Sequence, residues 1–321
     1  MKTAECVTPM HPDKICDRIS DAILDACLKQ DPMSRVAIET MGGHGIITIT
    51  GELTTKAYVN IPEVVREIVG EKYGIQTNIV SQSPEIANGV DIGGAGDQGI
   101  MVGYACNDNE AMIPQELYLA RSLCKFIYNL HPYDGKTQIT IDGDNVIHAI
   151  VTSFQNVSKE ELENNIHDWL VINHFPTTGD CKRLANPAGD WNQGGFEADT
   201  GLTGRKLSVD NYGPQIPIGG GCFSGKDATK VDRSAAYIAR KMAVDYLKEF
   251  KAKEVIVKLA YAIGMPNPVM VSLEVDGNEK PYTGTYELSP NGIIKFLKLR
   301  EPQFEKTAQW GHFGNGFTWD K

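Results

Sequence analysis

Residues 219–250 read GGGCFSGKDATKVDRSAAYIARKMAVDYLKEF: three consecutive glycines, a turn flanked by lysines, then the clearest regular pattern in the chain. From Val231 onward Ala235, Ile238, Ala239, Met242, Tyr246, Leu247 and Phe250 fall on one stripe, which predicts a helix over 231–250. Strands are expected downstream near 254–263 and 269–276, with a further helix at 291–298. The same succession of helix and paired strands recurs upstream. Pro12 to Gln30 has one apolar face through Ile15, Ile19, Ala22, Ile23, Ala26 and Cys27. Strands follow at 35–40 and 45–53, and a helix at 62–70. In the middle of the chain a helix at 115–130 leads into a hairpin. Its strands are Gln138–Ile141 and Val146–Phe154, turning through Asp142-Gly143-Asp144-Asn145. A polar helix near 159–169 and a loop-rich segment over 176–200 close that stretch, and a strand is expected near 205–210. The fold class is therefore α+β, with short connections and much antiparallel pairing. The likeness among the three stretches is architectural, because no residue-level repeat accompanies it.

Bulk properties exclude several functions. A length of 321 residues allows two or three domains, each with its own core. The net charge of −10 argues against a broad nucleic-acid surface, which needs positive potential over a whole face. No run of 18 apolar residues marks a membrane span, and the start MKTAECVTPMHPDK lacks a signal-peptide core. Seven scattered cysteines with no C-x-x-C pair suit a reducing cytoplasm better than a disulfide framework or structural zinc.

Four segments carry chemistry. In the glycine loop, backbone N–H groups can approach an anion, with the dipole of the helix from Val231 behind them. Lys226 and Lys230 flank it, and Asp232 offers a carboxylate suited to Mg²⁺. Gly220 to Lys226 fits the G-x-x-x-x-G-K of a Walker loop, but Asp227 stands where a metal-binding hydroxyl belongs. Upstream, Gly201-Leu202-Thr203-Gly204-Arg205-Lys206, preceded by Asp199, pairs two cations able to clamp a phosphate chain. The plainer reading of that pair is a solvated basic strand start. His11-Pro12-Asp13-Lys14 places Pro12 at the first helical position, His11 at the cap and Asp13 in the first turn. Such a histidine could donate to an oxyanion and such an aspartate could bind a metal; for this motif alone a simple helix start, with Asp13 on the helix dipole, is the favoured reading. Gly94-Ala95-Gly96-Asp97-Gln98-Gly99 is by itself a turn.

Taken together, HPDKI, GAGDQG, GLTGRK with its following VD-x-YG, and GGG-x-FSGKD-x-x-KVDRSAAY occur in the order found in S-adenosylmethionine synthetases. The resemblance runs from Glu5 to Gly311-His312-Phe313-Gly314. It includes Glu39-Thr40, Gly51 to Thr55, Gln82-Ser83-Pro84, Asp134-Gly135-Lys136 and Tyr261 to Gly264. It implies three similar β-α-β domains about a pseudo-threefold axis, here at 1–92, 93–195 and 196–321. Flat sheets would form the interface of a homodimer, alone or paired into a tetramer, with active sites shared between chains. The implied reaction joins ATP and L-methionine, with sulfur attacking C5′ and tripolyphosphate then cleaved to phosphate and pyrophosphate. His11, Lys136, Arg205, Lys206 and Lys226 match the catalytic phosphate-binding positions, and Lys230 lies in the same set and on the methionine side. Asp134, Gly135, Asp190, Trp191, Asp199 and Cys222 match further ATP contacts, Trp191 as the ring stacked on adenine. Glu52, Gln82, Asp97 and Asp199 match methionine-side groups. Asp13 and Asp232 match Mg²⁺ ligands, and Glu39 a K⁺ ligand.

Several positions depart from the resemblance: Met10 before HPDK, Asp190 beside Trp191, Asn156 after Gln155, and a connection from Asp91 to Gly94 too short for a separate lid. An active synthetase and a non-catalytic regulatory relative are both compatible with the family. The retained basic cluster favours the synthetase, because an inert copy gains nothing from mutually repelling cations. A plain ATPase leaves the methionine-side residues unexplained.

Overall fold

The computed structural model describes residues 1–82 and 93–321. Among these, three four-stranded sheets form, and each is organised around one hairpin with a helix before it. In the first unit α1 (Pro12–Gln30) precedes β2 (Arg35–Gly43) and β3 (Ile46–Thr54), and α2 (Ile61–Val69) crosses to the parallel strand β4 (Gly74–Val80). In the second, α3 (Gln115–Leu130) precedes β6 (Gly135–Ile141) and β7 (Ile147–Phe154), and α4 (Lys159–Asn173) crosses to the parallel β8 (Thr177–Ala185). After these two units a single helical turn, α5 (Leu207–Asp210), precedes the third. There α6 (Val231–Phe250) leads into β10 (Glu254–Tyr261) and β11 (Met270–Val275). Here the order of the last two pieces is reversed. The short antiparallel β12 (Asn278–Lys280) comes first and α7 (Pro290–Leu297) follows, with α8 (Thr307–Trp310) near the end.

The fourth strand of every sheet comes from elsewhere in the sequence. β1 (Lys2–Val7) pairs with β6, β5 (Gly99–Cys106) with β10, and β9 (Gly201–Leu202) with β2, all antiparallel. The exchange is cyclic: the N-terminal third lends a strand to the middle, the middle to the C-terminal third, and that to the first. This is the connectivity a pseudo-threefold arrangement produces. The buried apolar residues follow it. One core joins α1, β2, β3, β5, α6 and β10, and a second lies between α3, α4 and their sheet.

Alternation explains why one face of each sheet is buried. In β10 every second residue, Val255, Val257, Leu259 and Tyr261, turns inward. The opposite faces are open and partly apolar: Met41, Ile46 and Val80 on the first sheet, Ile100 and Met270 on the third, are all more than one-third exposed. Gly103 lets α6 approach β5 closely, since a Cβ there would lie 2.0 Å from the Ala239 carbonyl carbon.

Two sequence readings need correction, and one strand went unread. The strand expected near 205–210 is the helical turn α5, because Asp210 N–H closes on Lys206 O at 2.8 Å. The segment 176–200, read as loop, contains β8; only Ala185 of that strand is buried, so it carries no apolar alternation to read. β5, which follows the GAGDQG turn directly, is buried on both faces over residues 101–106 and likewise gives no alternating signal. The shortened connection at Asp91–Ile92, together with Ser83-Pro84, falls outside the described residues.

Candidate active site

His11 is the N-cap of α1, and its Nδ1 accepts the Asp13 N–H at 3.2 Å. That bond fixes the tautomer: in the neutral ring the proton sits on Nε2, leaving a donor available. Burial, then the Lys206 and Lys136 ammonium groups, hold the imidazole down at about 3, so it is neutral at physiological pH. Asp13 is fully buried and saturated with donors. Leu202 N–H reaches Oδ1 at 2.9 Å, Arg205 Nε lies 3.1 Å from Oδ1, and Lys206 Nζ lies 2.5 Å from Oδ2. Burial opposes its ionisation, but Lys206 and the Leu202 amide carry the carboxyl below its usual value. Gly135-Lys136 begins β6 against the same turn, with Thr8 N–H donating to Gly135 O at 2.9 Å. Asp134 accepts the Gly195 N–H at 2.9 Å, and burial raises its pKa.

A second cluster adjoins the first. Lys226 Nζ lies 2.6 Å from Asp232 Oδ2, and Gly221 N–H donates to Asp232 Oδ1 at 3.1 Å. The two clusters meet where a Cβ on Gly204 would lie 2.7 Å from Cys222 Sγ; burial pushes the Cys222 thiol up, so it is inert as a nucleophile. Lys226 also forms a β-bridge with Ala37, whose other neighbour across the sheet is Glu52, and Glu39 follows on the same open face. Glu39 and Glu52 are exposed there.

Other expected residues stand apart from these clusters. Lys230 pairs with Asp227 at 2.6 Å, and Asp190 accepts the Lys159 N–H at 2.8 Å beneath α4. Asp97 and Asp199 are exposed, and the side chain of each accepts the next residue's N–H at 2.8 Å. Gln82 donates its N–H to Thr54 Oγ1 at 3.2 Å, and its buried Oε1 has no partner among the described residues. Trp191 is half-buried, its indole N–H likewise without a partner among the described residues.

Among the described residues no three of His, Cys, Asp and Glu gather as a metal cage. Asp13 and Asp232 are instead single carboxylates, each beside lysine. That donor set suits Mg²⁺ carried on a polyphosphate, which takes one or two protein oxygens and fills its shell with phosphate and water. Asp17, Asp21 and Arg233, buried beneath both clusters, went unread in the sequence. Their signal was the recurrence of aspartate every fourth residue through α1.

Comparison with known proteins adds the decisive observation. Three profiles match in tandem: "S-adenosylmethionine synthetase, N-terminal domain" over 1–87, "central domain" over 92–191 and "C-terminal domain" over 193–321. The chain belongs to the S-adenosylmethionine synthetase family. It is 40% identical over 383 aligned positions to the S-adenosylmethionine synthase of Petrotoga mobilis, covering 99% of this chain and 95% of the relative. It is also 40% identical over 375 positions to that of Brachyspira hyodysenteriae, with the same coverage. The synthetase profiles account for all three sheet-forming stretches, and the enzyme class is methionine adenosyltransferase. Among the described residues no helix is long and apolar enough to cross a membrane.

Proposed function

We propose that this synthetase forms S-adenosyl-L-methionine by in-line attack of methionine sulfur on C5′ of ATP, then cleaves the tripolyphosphate to phosphate and pyrophosphate. The observation that carries this reading is that Arg205 and Lys206 stand on Asp13 beside His11, and Lys226 on Asp232, so that each cation set is paired with a single carboxylate. Such a set suits a leaving group whose negative charge grows as the C–O bond breaks, with no covalent work by the protein. His11, as a neutral Nε2–H donor, would bond the departing oxygen without having to be an imidazolium. Lys136, Arg205, Lys206 and Lys226 would clamp the phosphates. Lysines now paired with Asp13 and Asp232 would turn to the phosphates, freeing both carboxylates for Mg²⁺, which when bound neutralises phosphate charge.

Trp191 would stack on adenine, with Asp134 at the ribose and Gly135, Asp190 and the Cys222 backbone beside the nucleotide. Glu52, Gln82, Asp97, Asp199 and Lys230 would serve methionine, and Glu39 a K⁺ ion. The blocks 1–92, 93–195 and 196–321 would form three domains of a cytoplasmic homodimer, alone or paired into a tetramer, that binds neither nucleic acid nor membrane. The test is product analysis with ATP, methionine, Mg²⁺ and K⁺. S-adenosylmethionine, phosphate and pyrophosphate should appear in equal amounts. Release of ADP, or ATP turnover indifferent to methionine, overturns the reading.

A further inference from the structure

Asp13, Asp17, Asp21 and Asp25 recur every fourth residue of α1, so they stand one above another along the helix. All four are buried, and each accepts backbone N–H from a segment distant in sequence. Leu202 donates to Asp13 at 2.9 Å, Gly204 to Asp17 at 2.8 Å and Gly225 to Asp21 at 2.8 Å. Gln303, Phe304 and Glu305 donate to Asp25. The first three donors belong to the two loops that carry Arg205, Lys206 and Lys226.

Asp21 holds its loop with a partner. Arg233 of α6 meets it through two parallel bonds, Nη1 to Oδ1 at 2.6 Å and Nη2 to Oδ2 at 2.9 Å, and both side chains are fully buried. The same Nη1 donates to the Lys226 carbonyl at 3.0 Å. Two successive residues are thus gripped, Gly225 by its N–H and Lys226 by its C=O. The loop has no room to move the other way: Gly225 has φ of +80°, and a Cβ there would lie 1.9 Å from Ile38 O.

We propose that Asp21 and Arg233 are positioning residues that fix the Gly225–Lys226 backbone, and through it the Lys226 ammonium, against the leaving phosphate chain. This rests on the reading of Lys226 given above. Neither residue touches substrate. A buried ion pair by itself is a poor source of stability compared with apolar packing. Here Asp21 Oδ1 also accepts the Gly225 N–H and Arg233 Nη1 also reaches the Lys226 carbonyl, while Arg233 Nε and Nη2 anchor the guanidinium on Tyr237 and Thr307; the loop so held bears the cation assigned to the leaving phosphates.

The experiment is steady-state kinetics of Arg233→Lys and Asp21→Asn, each alone and combined with Lys226→Ala, with urea unfolding of every variant giving the folded fraction. Arg233→Lys keeps the charge but cannot hold both Asp21 oxygens and the Lys226 carbonyl together. The expected kcat per folded molecule falls on the order of tenfold to a hundredfold, since displacement near 1 Å has that cost. KM for both substrates should stay within about twofold, because ground-state contacts are untouched. Added to Lys226→Ala, either change should cause no further loss, since the cation it positions is already gone. Losses that multiply in the double variants, or that match the unfolded fraction alone, overturn the proposal. If Lys226→Ala is crippled while Arg233→Lys keeps full kcat, only the positioning role fails. If Lys226→Ala itself keeps full kcat, the leaving-group reading fails and the positioning role with it.

Discussion

At the scale of single residues, the cations divide by what they neutralise. Arg205 and Lys206 lie on Asp13, and Lys226 lies on Asp232. All should matter most when leaving-group charge is greatest. Lys226→Ala and Arg205→Leu should therefore lower kcat by on the order of 10²–10³ and raise KM much less. Initial-rate kinetics with both substrates varied check this, and weaker ATP binding at unchanged kcat would contradict it. Beneath them lies a group that titrates in a useful range. Lys14 Nζ sits 3.2 Å from Asp17 and 2.6 Å from Asp210, so two buried carboxylates share one ammonium. Burial pushes Asp17 up to about 7, against the pull of Lys14. Its proton is thus held more tightly in the folded chain than in the unfolded one. That contribution to stability is complete below the ordinary carboxylate pKa and is lost as pH rises through about 7. Asp17→Asn, which stays neutral throughout, should flatten the fall in unfolding midpoint between about pH 4 and pH 7. Urea midpoints across that range decide; a slope equal to the parent's would remove Asp17 as its source. The cap at His11 was legible because HPDK is a local signal, proline and aspartate in the first turn. The Asp17–Lys14–Asp210 cluster was not, since residues 14 and 210 meet only through the fold.

At the scale of elements, legibility followed alternation and helical period. The helices at Pro12–Gln30, Gln115–Leu130 and Val231–Phe250 were read to the residue or nearly so, because each carries an apolar stripe at helical spacing, even though the first and last are buried on nearly every side. The hairpin of β6 and β7 was read from its turn. What escaped were the lent edge strands. β1 alternates only over Thr3 to Cys6 and follows no turn, β9 is two residues long, and β5 is buried on both faces, so none carries a pattern long enough to read. β5 nonetheless sets the distance of α6, the helix bearing Asp232 and Arg233. Gly103 should accordingly tolerate no side chain. Gly103→Ala would drive a methyl group into the Ala239 backbone and should cost about 1–3 kcal/mol or more. Gly143→Ala is the control: it sits in the hairpin turn with nothing within 4 Å of its Cβ and should change stability by less than about 0.5 kcal/mol. Equal urea midpoints for the two variants would mean that β5 and α6 have slack the structure does not display.

At the scale of the whole molecule, cyclic strand exchange binds the three units so that none can be removed without opening another's sheet edge. It also leaves three open sheet faces, with Met41, Ile46, Val80, Ile100 and Met270 exposed on two of them. Apolar patches of that kind mark association surfaces. Glu39 and Glu52 lie on one such face beside the Lys226 loop, so a partner seated there would close over Lys226, Asp232 and both glutamates. The Arg205 cluster, by contrast, is built around the start of α1. If the proposed dimer shares its sites, Arg205 of one chain works with Lys226 of the other, and subunit mixing reveals it. Arg205→Leu and Lys226→Ala homodimers are each defective at both sites. In a mixed dimer one site collects both defects and the other collects neither. Random exchange at equal amounts makes half the dimers mixed, so activity should recover to roughly a quarter of the parent's. Sites confined to single chains would recover nothing, since every site would then keep its own defect. Mixing after reversible dissociation, with the mass in solution followed by light scattering, separates the two. A dimeric mass with no recovered turnover would place Arg205 and Lys226 in the same chain's site.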